Sequence, residues 1–336
     1  MSQKPLRVAV VGVGHLGKFH AKIYAQNPAA ELVAVVDFDG ERAAALAAEL
    51  GCESYTSIDE LPADLQAVSI VVPTSAHAKT AIPLLEAGIP CLVEKPLALN
   101  IEEADRIIAA AEKSGAALAV GHVERFQPGV RQLKELGMQP KFIECHRLTG
   151  FSFRSMDVGV VHDLMIHDLD LVLHLMGSEV ESIDAAGGKI LTESEDLASV
   201  RLVFKNGARA SVTASRVSLQ PMRRFRLFSS SGYVSLDFAD NQGLYVSKGK
   251  DFDAQRAKLL EGDPSLLAAN PEFITGGMME VHQLELAGKE RPLQAELDSF
   301  LSAVREGTQP EVTGHDGRRA LALADQISAQ IRQQSW

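Results

Sequence analysis

The sequence predicts an α/β + α+β chain. A doubly wound parallel sheet is expected over residues 1–124, and an open, mainly antiparallel sheet with helices on one face over 125–336. Three observations predict this. A strand-like run at 6–11 ends in a glycine turn that opens a helix. Apolar β-branched runs then alternate with helical periods to about residue 120, the signature of parallel βαβ units. Beyond residue 142 the helical periods give way to strand-like runs separated by short turns, which read as antiparallel pairs. With 336 residues the chain exceeds what one core usually holds, so two domains are expected.

The first strand ends at Gly12-Val13-Gly14-His15-Leu16-Gly17. In the strand–turn–helix setting of a Rossmann unit, Gly12 allows the tight turn and Gly14 lets a pyrophosphate approach the backbone. Gly17 allows the helix to pack closely on the strand. The helix N-terminus, with His15 and Leu16 beside it, offers N–H groups to that phosphate. The helical pattern runs through Phe19, Ile23 and Tyr24. A second strand, 32–36, ends at Asp37, twenty residues after Gly17. That is the spacing of an acid that binds ribose hydroxyls. Its charge repels a 2′-phosphate, so NAD is expected and NADP disfavoured. A chance glycine turn with an unrelated acid is the bland alternative, and strand, helix and acid together argue against it.

The alternation continues with helix 43–50, strand 68–72, helix 78–87, strand 91–93, helix 101–114 and strand 117–120. Ligands of such sheets bind beyond the carboxyl ends of the strands. Pro73-Thr74-Ser75-Ala76-His77, Glu94-Lys95-Pro96 and Gly121-His122-Val123-Glu124-Arg125-Phe126 occupy those positions.

In the second half, strands are expected at 142–147, 183–190, 198–204, 208–215, 224–229, 232–238 and 244–246. Asn206-Gly207 suits a tight hairpin. Val212, Phe225 and Leu227 are expected to meet a partner subunit, giving a homodimer or homotetramer built on this sheet. Met222-Arg223-Arg224-Phe225-Arg226 alternates like a strand. Its cations either face an anionic substrate or form a solvated sheet face, and both readings stand. Residues 248–270 read as a polar, irregular lid or interface loop.

Composition excludes several classes. Thirty-three basic against 44 acidic residues leave a formal charge of -11, which repels nucleic acid. Cys52, Cys91 and Cys145 are odd in number and widely spaced, so free thiols are expected rather than disulfides or a zinc site. No signal-like apolar region follows Met1, and no apolar run approaches the roughly 20 residues that cross a bilayer. A cytoplasmic location with no membrane partner is expected.

The residues also carry a resemblance. Gly12-Val-Gly14-His-Leu-Gly17, Pro73-Thr74 with His77, and Glu94-Lys95-Pro96 resemble the glucose–fructose oxidoreductase / inositol dehydrogenase (Gfo/Idh/MocA) family. Asp163-Leu-Met-Ile-His167-Asp168-Leu-Asp170 looks like that family's Asp-x-Gly-x-His-x-x-Asp helix, with Met165 where many members have glycine. The likeness extends over essentially the whole chain, to the helices of 296–331. It implies an NAD-dependent dehydrogenase acting on a CH–OH group of a sugar-like substrate. Gly121-His-Val-Glu-Arg125-Phe126 with Asp157-Val-Gly-Val is similar to members that oxidise the 3-hydroxyl of UDP-N-acetylglucosamine.

The resemblance implies a catalytic set of Lys95, Asp163 and His167. An imidazole titrates near neutrality and suits proton removal from a hydroxyl. Asp163, four residues before His167, shares its helix face. Lys95 can hydrogen-bond the reacting oxygen as charge develops on it. Thr74, His77 and Glu94 are expected beside the cofactor, and His122, Arg125 and Arg154 beside the substrate. A metal site is not expected, because His162 and His167 lie five apart rather than the four that aligns two imidazoles. An imine or keto reductase and a non-catalytic NAD-binding regulator are the alternatives on the same scaffold.

Overall fold

The computed structural model describes residues 4–152, 158–261, 278–286 and 291–334. The chain divides into two units, Met1–Phe126 with Glu290–Gln326, and Gln127–Lys289 with Ile327–Trp336. The expected division at 124/125 differs from this in two respects, the first being that the break falls after Phe126. The second is that the late residues to Gln326 belong with the first unit.

In the first unit, β1 (Leu6–Val11), β2 (Ala30–Val36), β3 (Glu53–Tyr55), β4 (Ala67–Ile70), β5 (Cys91–Glu94) and β6 (Leu118–Gly121) form a parallel sheet in the order β3-β2-β1-β4-β5-β6. Helices α1 (Gly17–Gln26), α2 (Gly40–Leu50), α3 (His77–Glu86) and α4 (Ile101–Ser114) connect the strands. The strands bury nearly every side chain, as a parallel sheet covered on both faces requires. The chain reverses its direction of winding between β1 and β4, and a ligand crevice opens at such a point. Short β3 has no sequence signal, being only three residues long.

Asp39 caps α2 by accepting from the Arg42 amide at 3.1 Å, and Asn100 caps α4 through the Glu103 amide at 2.9 Å. No side chain caps α1, and its first turn carries no acid. Its buried stripe is Gly17, His20, Ala21 and Tyr24. Phe19, expected on that stripe, is exposed.

The second unit holds α5 (Pro128–Glu135), β7 (Phe142–Leu148), a π-helical turn (Val161–Met165) running into α6 (Ile166–Met176), and β8 (Val180–Gly188). There follow β9 (Leu197–Phe204), β10 (Arg209–Ser215), β11 (Met222–Phe228), β12 (Gly232–Asp237), β13 (Gln242–Lys248), α7 (Phe252–Glu261) and β14 (Met279–Glu285). The strands form one sheet in the order β14-β13-β12-β11-β7-β10-β9-β8, antiparallel except where β7 lies parallel to β10. The stretch expected to be irregular from 248 contains α7, and residues 262–270 lie outside the described residues.

The side-chain alternation corrects one expectation. Val212, Phe225 and Leu227 are fully buried on the face against which α6 packs. Phe142, Phe228 and Tyr233 lie on the opposite face, with ring centroids 5.8 and 4.7 Å apart across neighbouring strands. Because strand side chains alternate with period two, β11 shows its outward residues one position from those expected. The outward Arg224 and Arg226 pair with Asp237 at 2.7 Å and Glu144 at 3.2 Å. Arg224 and Arg226 therefore serve cross-strand pairing on a partly solvated face, while Arg223, on the other face, lies 5.0 Å from the Phe238 ring centroid.

The last helices are α8 (Pro292–Glu306) and α9 (Gly314–Arg332). Leu297, Phe300 and Leu301 of α8 join Val8, Val10 and Tyr24 in one core cluster, and Thr313 bridges Ala119 of β6. Burying three large apolar side chains stabilises this docking by about 5–9 kcal/mol before entropy is counted, so α8 goes with the first unit.

Candidate active site

A cleft of about 890 Å³ lies at the carboxyl ends of β1, β2, β4 and β5 and is lined by Gly12, Gly14, Leu16, Asp37, Glu94 and Lys95 among others. The glycine turn is built as the sequence suggests. Gly12 has φ of +86°, and a Cβ on it would lie 2.6 Å from the Val71 carbonyl oxygen. A Cβ on Gly17 would lie 1.8 Å from the Gly12 oxygen, so only glycine lets α1 sit this close. A Cβ on Gly14 would meet nothing within 4 Å, leaving the backbone open to a pyrophosphate. The uncapped N-terminus of α1 supplies its positive dipole end to the same place.

Asp37 is buried at the end of β2. One carboxylate oxygen accepts from the Val13 amide at 2.9 Å and the other from the Asp39 amide at 3.0 Å. The residues fit a dinucleotide: glycine backbone and a helix end for the phosphates, a fixed carboxylate for the ribose. Two neighbours went unread in the sequence. Arg42 lines the cleft, pairs with Asp37 at 3.3 Å, and lies 5.8 Å from the ring centroid of the exposed Phe38.

Lys95 is half-buried on the cleft wall. Glu94 beside it is buried, accepting from the Lys95 amide at 3.2 Å and contacting His20 Nε2 at 3.1 Å. Burial alone would raise the Glu94 carboxyl, but the His20 hydrogen bond and the charges of His20 and Lys95 outweigh it and lower the pKa. His20 has no place among the residues expected from sequence.

His77 stands differently from expectation. It is not in the cleft lining. Its ring is buried between the Val72 carbonyl, 3.0 Å from Nε2, and the Pro96 carbonyl, 3.0 Å from Nδ1. Burial pushes its pKa down against the pull of those carbonyls. It ties the end of β4 to the turn after β5, which carries Lys95. Thr74 is half-buried on the turn whose Pro73, Ser75 and Ala76 line the cleft, and His15 is exposed with its ring edge-on to Phe19.

His122 and Arg125, expected beside the substrate, are both buried in the first unit. Arg125 lies 3.5 Å from Asp316, whose pKa this charge and its Thr313 hydrogen bonds hold well down despite burial. Arg125 thus fastens the β6 end to the start of α9. Arg154 lies outside the described residues.

In the second unit, Asp163 sits on the π-helical turn and His167 one turn later on α6, both half-buried. Such turns recur where a helix must re-aim side chains at a site. Met165 is fully buried, so the side chain that replaces glycine points into the core. Two ion pairs absent from the sequence reading hold this helix. Arg147 on β7 makes a bidentate pair with Asp168, both contacts 2.8 Å and both residues buried. Arg216 donates to Asp196 at 2.8 Å and to the Val158 carbonyl at 2.7 Å, just before the π-helical turn. Asp196 also accepts from the amides of Ile190, Leu191 and Thr192 at 2.6 to 2.9 Å. Burial would raise its pKa, but these donors and Arg216 hold it far below the usual carboxylate range. Gly159 admits the Glu195 carboxylate, which would lie 2.0 Å from any Cβ there.

Among the described residues, no group of three or more His, Cys, Asp or Glu is placed to hold a metal ion. None of the described helices is long and apolar enough to cross a membrane.

Comparison with known proteins agrees with this geometry. Residues 6–122 match the model of an oxidoreductase family with an NAD-binding Rossmann fold, and residues 143–235 match the GFO/IDH/MocA C-terminal domain. The chain is 38% identical over 327 residues, 97% of each chain, to UDP-N-acetylglucosamine 3-dehydrogenase of Acidithiobacillus ferrooxidans. It is 27% identical to inositol 2-dehydrogenase of Rhizobium meliloti, over 95% of each. A solved structure of the Acidithiobacillus enzyme superposes with a TM-score of 0.85 at 37% identity over 98% of both chains. Levoglucosan dehydrogenase with NADH, at 19% identity and a TM-score of 0.80 over 99% of this chain and 98% of that one, shares the fold. The chain belongs to the Gfo/Idh/MocA family of NAD-binding oxidoreductases.

Proposed function

We propose that this NAD-dependent dehydrogenase oxidises the 3-hydroxyl of UDP-N-acetylglucosamine. The observation that carries the substrate is the full-length 38% identity to an enzyme of that name, against 27–28% over 95% of the chain for two inositol dehydrogenases.

Asp37 and the glycine turn hold the dinucleotide, which when bound supplies a nicotinamide that accepts hydride. His167 takes the hydroxyl proton, and Asp163, one turn earlier on the same helix, orients the imidazole or a neighbouring substrate hydroxyl. Lys95 donates to the reacting oxygen and stabilises its developing negative charge. The ion pairs of Arg147 and Arg216 hold the helix that presents the first two groups.

The protein is expected to work in the cytoplasm as a homodimer or homotetramer joined through the eight-stranded sheet. The three free thiols, and the exposed Phe142 and Phe228 with the half-buried Tyr233 beside them, support those two points.

The test incubates purified protein with NAD⁺ and UDP-N-acetylglucosamine and follows NADH absorbance. Product reduced with borodeuteride should carry deuterium at C3 by mass spectrometry. NADH formation with myo-inositol but not with the nucleotide sugar would overturn the substrate assignment.

A further inference from the structure

The buried His20 lies outside the cleft lining, yet it meets a residue of that lining, Glu94. It is fully buried on α1, three residues after Gly17, and its Nε2 lies 3.1 Å from Glu94 Oε1 at the end of β5. The other carboxylate oxygen of Glu94 accepts the amide of Lys95. The third side of the carboxylate rests on Gly121 of neighbouring β6, where a Cβ would lie 2.8 Å from Cδ and Oε2. Glu94 is thus enclosed by a donor, an amide and a position that admits no side chain.

We infer that His20 is a positioning residue for Lys95, acting through Glu94. This rests on the proposed role of Lys95 at the reacting hydroxyl. Among the described residues, the His20 Nδ1 has no hydrogen-bond partner. His20 donates to Glu94 through Nε2. That bond keeps the buried carboxyl ionised and fixes its rotamer. The fixed carboxylate holds the Lys95 amide, and its charge attracts the Lys95 ammonium that is to donate to the reacting oxygen. Without the donor, burial is left to act on Glu94 and drives it toward the neutral acid. A neutral carboxyl would release Lys95 from both the charge and the fixed acceptor. The groups whose charges bear on Glu94 are His20 from α1, Lys95 from its own turn and His77 from α3.

The experiment compares wild type with His20→Leu, His20→Gln, Gly121→Ala and Lys95→Met. It reads NADH affinity by fluorescence, turnover across pH, and the infrared band of a protonated carboxyl. His20→Leu should lower kcat about ten- to a hundredfold near neutrality, as small misplacements of reacting groups do, with NADH affinity within about threefold of wild type. The loss should shrink as pH rises and Glu94 ionises. A protonated-carboxyl band should appear at neutral pH and vanish when Glu94→Gln is added. His20→Gln, whose amide can donate in place of the imidazole, should recover most of the turnover. Gly121→Ala pushes Glu94 from the opposite side and should reproduce the kcat loss without touching His20, which keeps the idea testable if His20→Leu does not fold.

An unchanged kcat in both His20→Leu and Gly121→Ala would overturn the inference. So would a pH-independent loss that follows NADH affinity and is not rescued by His20→Gln. If Lys95→Met itself keeps full turnover, the assignment of Lys95 has failed, and the role given to His20 falls with it. Loss in Lys95→Met beside normal His20 variants would sink the inference alone.

Discussion

Replacing Arg147 by methionine keeps much of the side-chain volume and strands the buried Asp168 carboxylate, which is 6% exposed and takes two 2.8 Å bonds from the guanidinium. Removing one partner of a buried pair costs about 3–5 kcal/mol, because the remaining charge is uncompensated. At roughly 2–4 °C per kcal/mol for a unit of this size, the second unit should melt about 6–20 °C lower. Calorimetry resolves this if the two units melt separately, and chemical denaturation followed by circular dichroism gives the same free energy. The double variant Arg147→Met/Asp168→Leu removes both charges, and it should recover most of the loss, since apolar replacements of a buried pair are often neutral or better. Turnover of the single variant should fall even below its melting point, because Asp168 adjoins His167 on α6. A single variant within about 1 kcal/mol of wild type, or a double variant no more stable than the single, would refute the argument that this pair anchors the helix.

Three further outcomes are expected. His167→Ala should lose turnover by about a hundredfold or more while keeping NADH affinity, measured by fluorescence titration beside steady-state rates; full turnover would place the base elsewhere. Asp37→Ala should weaken NAD relative to NADP, since it removes ribose acceptors and a charge opposed to a 2′-phosphate while leaving Arg42 in the cleft; the ratio of kcat/KM for the two cofactors reports it. Asp196 has a folded pKa below its unfolded value, so the unfolded chain binds the extra proton and stability increases with pH. Its contribution is complete above the unfolded value near pH 4 and is lost as pH falls below it. Asp196→Asn should therefore destabilise the protein at neutral pH and flatten its acid-unfolding curve below about pH 4. An identical acid slope in both proteins would remove Asp196 from that transition.

The cofactor half of the site was legible because its signals are local. Gly12, Gly14, Gly17 and Asp37 each answer a backbone or charge requirement within one βαβ unit, and all four stand where the spacing put them. The antiparallel strands were legible from alternation and turns, although β11 presented the opposite face from the one expected to meet a partner. What escaped were partners distant in sequence. His20 meets a carboxylate 74 residues later, Arg147 meets Asp168 across 21, and Arg125 meets an aspartate at the head of α9. A buried histidine on an apolar helix face gives no sequence signal for its partner. The Asp316 partner of Arg125 lies 191 residues further on and gives no local signal. His77 stands at the expected strand end, with its ring between two backbone carbonyls and outside the cleft lining.

The docking of α8 into the nucleotide-binding half has a consequence for biosynthesis. A ribosome that has released the first 126 residues has delivered six strands but not Leu297, Phe300 and Leu301, which complete the apolar cluster around Val8, Val10 and Tyr24. That half must wait, with an open hydrophobic flank, until nearly the whole polypeptide has emerged. Vectorial folding from the N-terminus, usual for chains built of consecutive domains, is not available to it. A gene cut after residue 126 would yield a sticky fragment instead of a portable nucleotide-binding module.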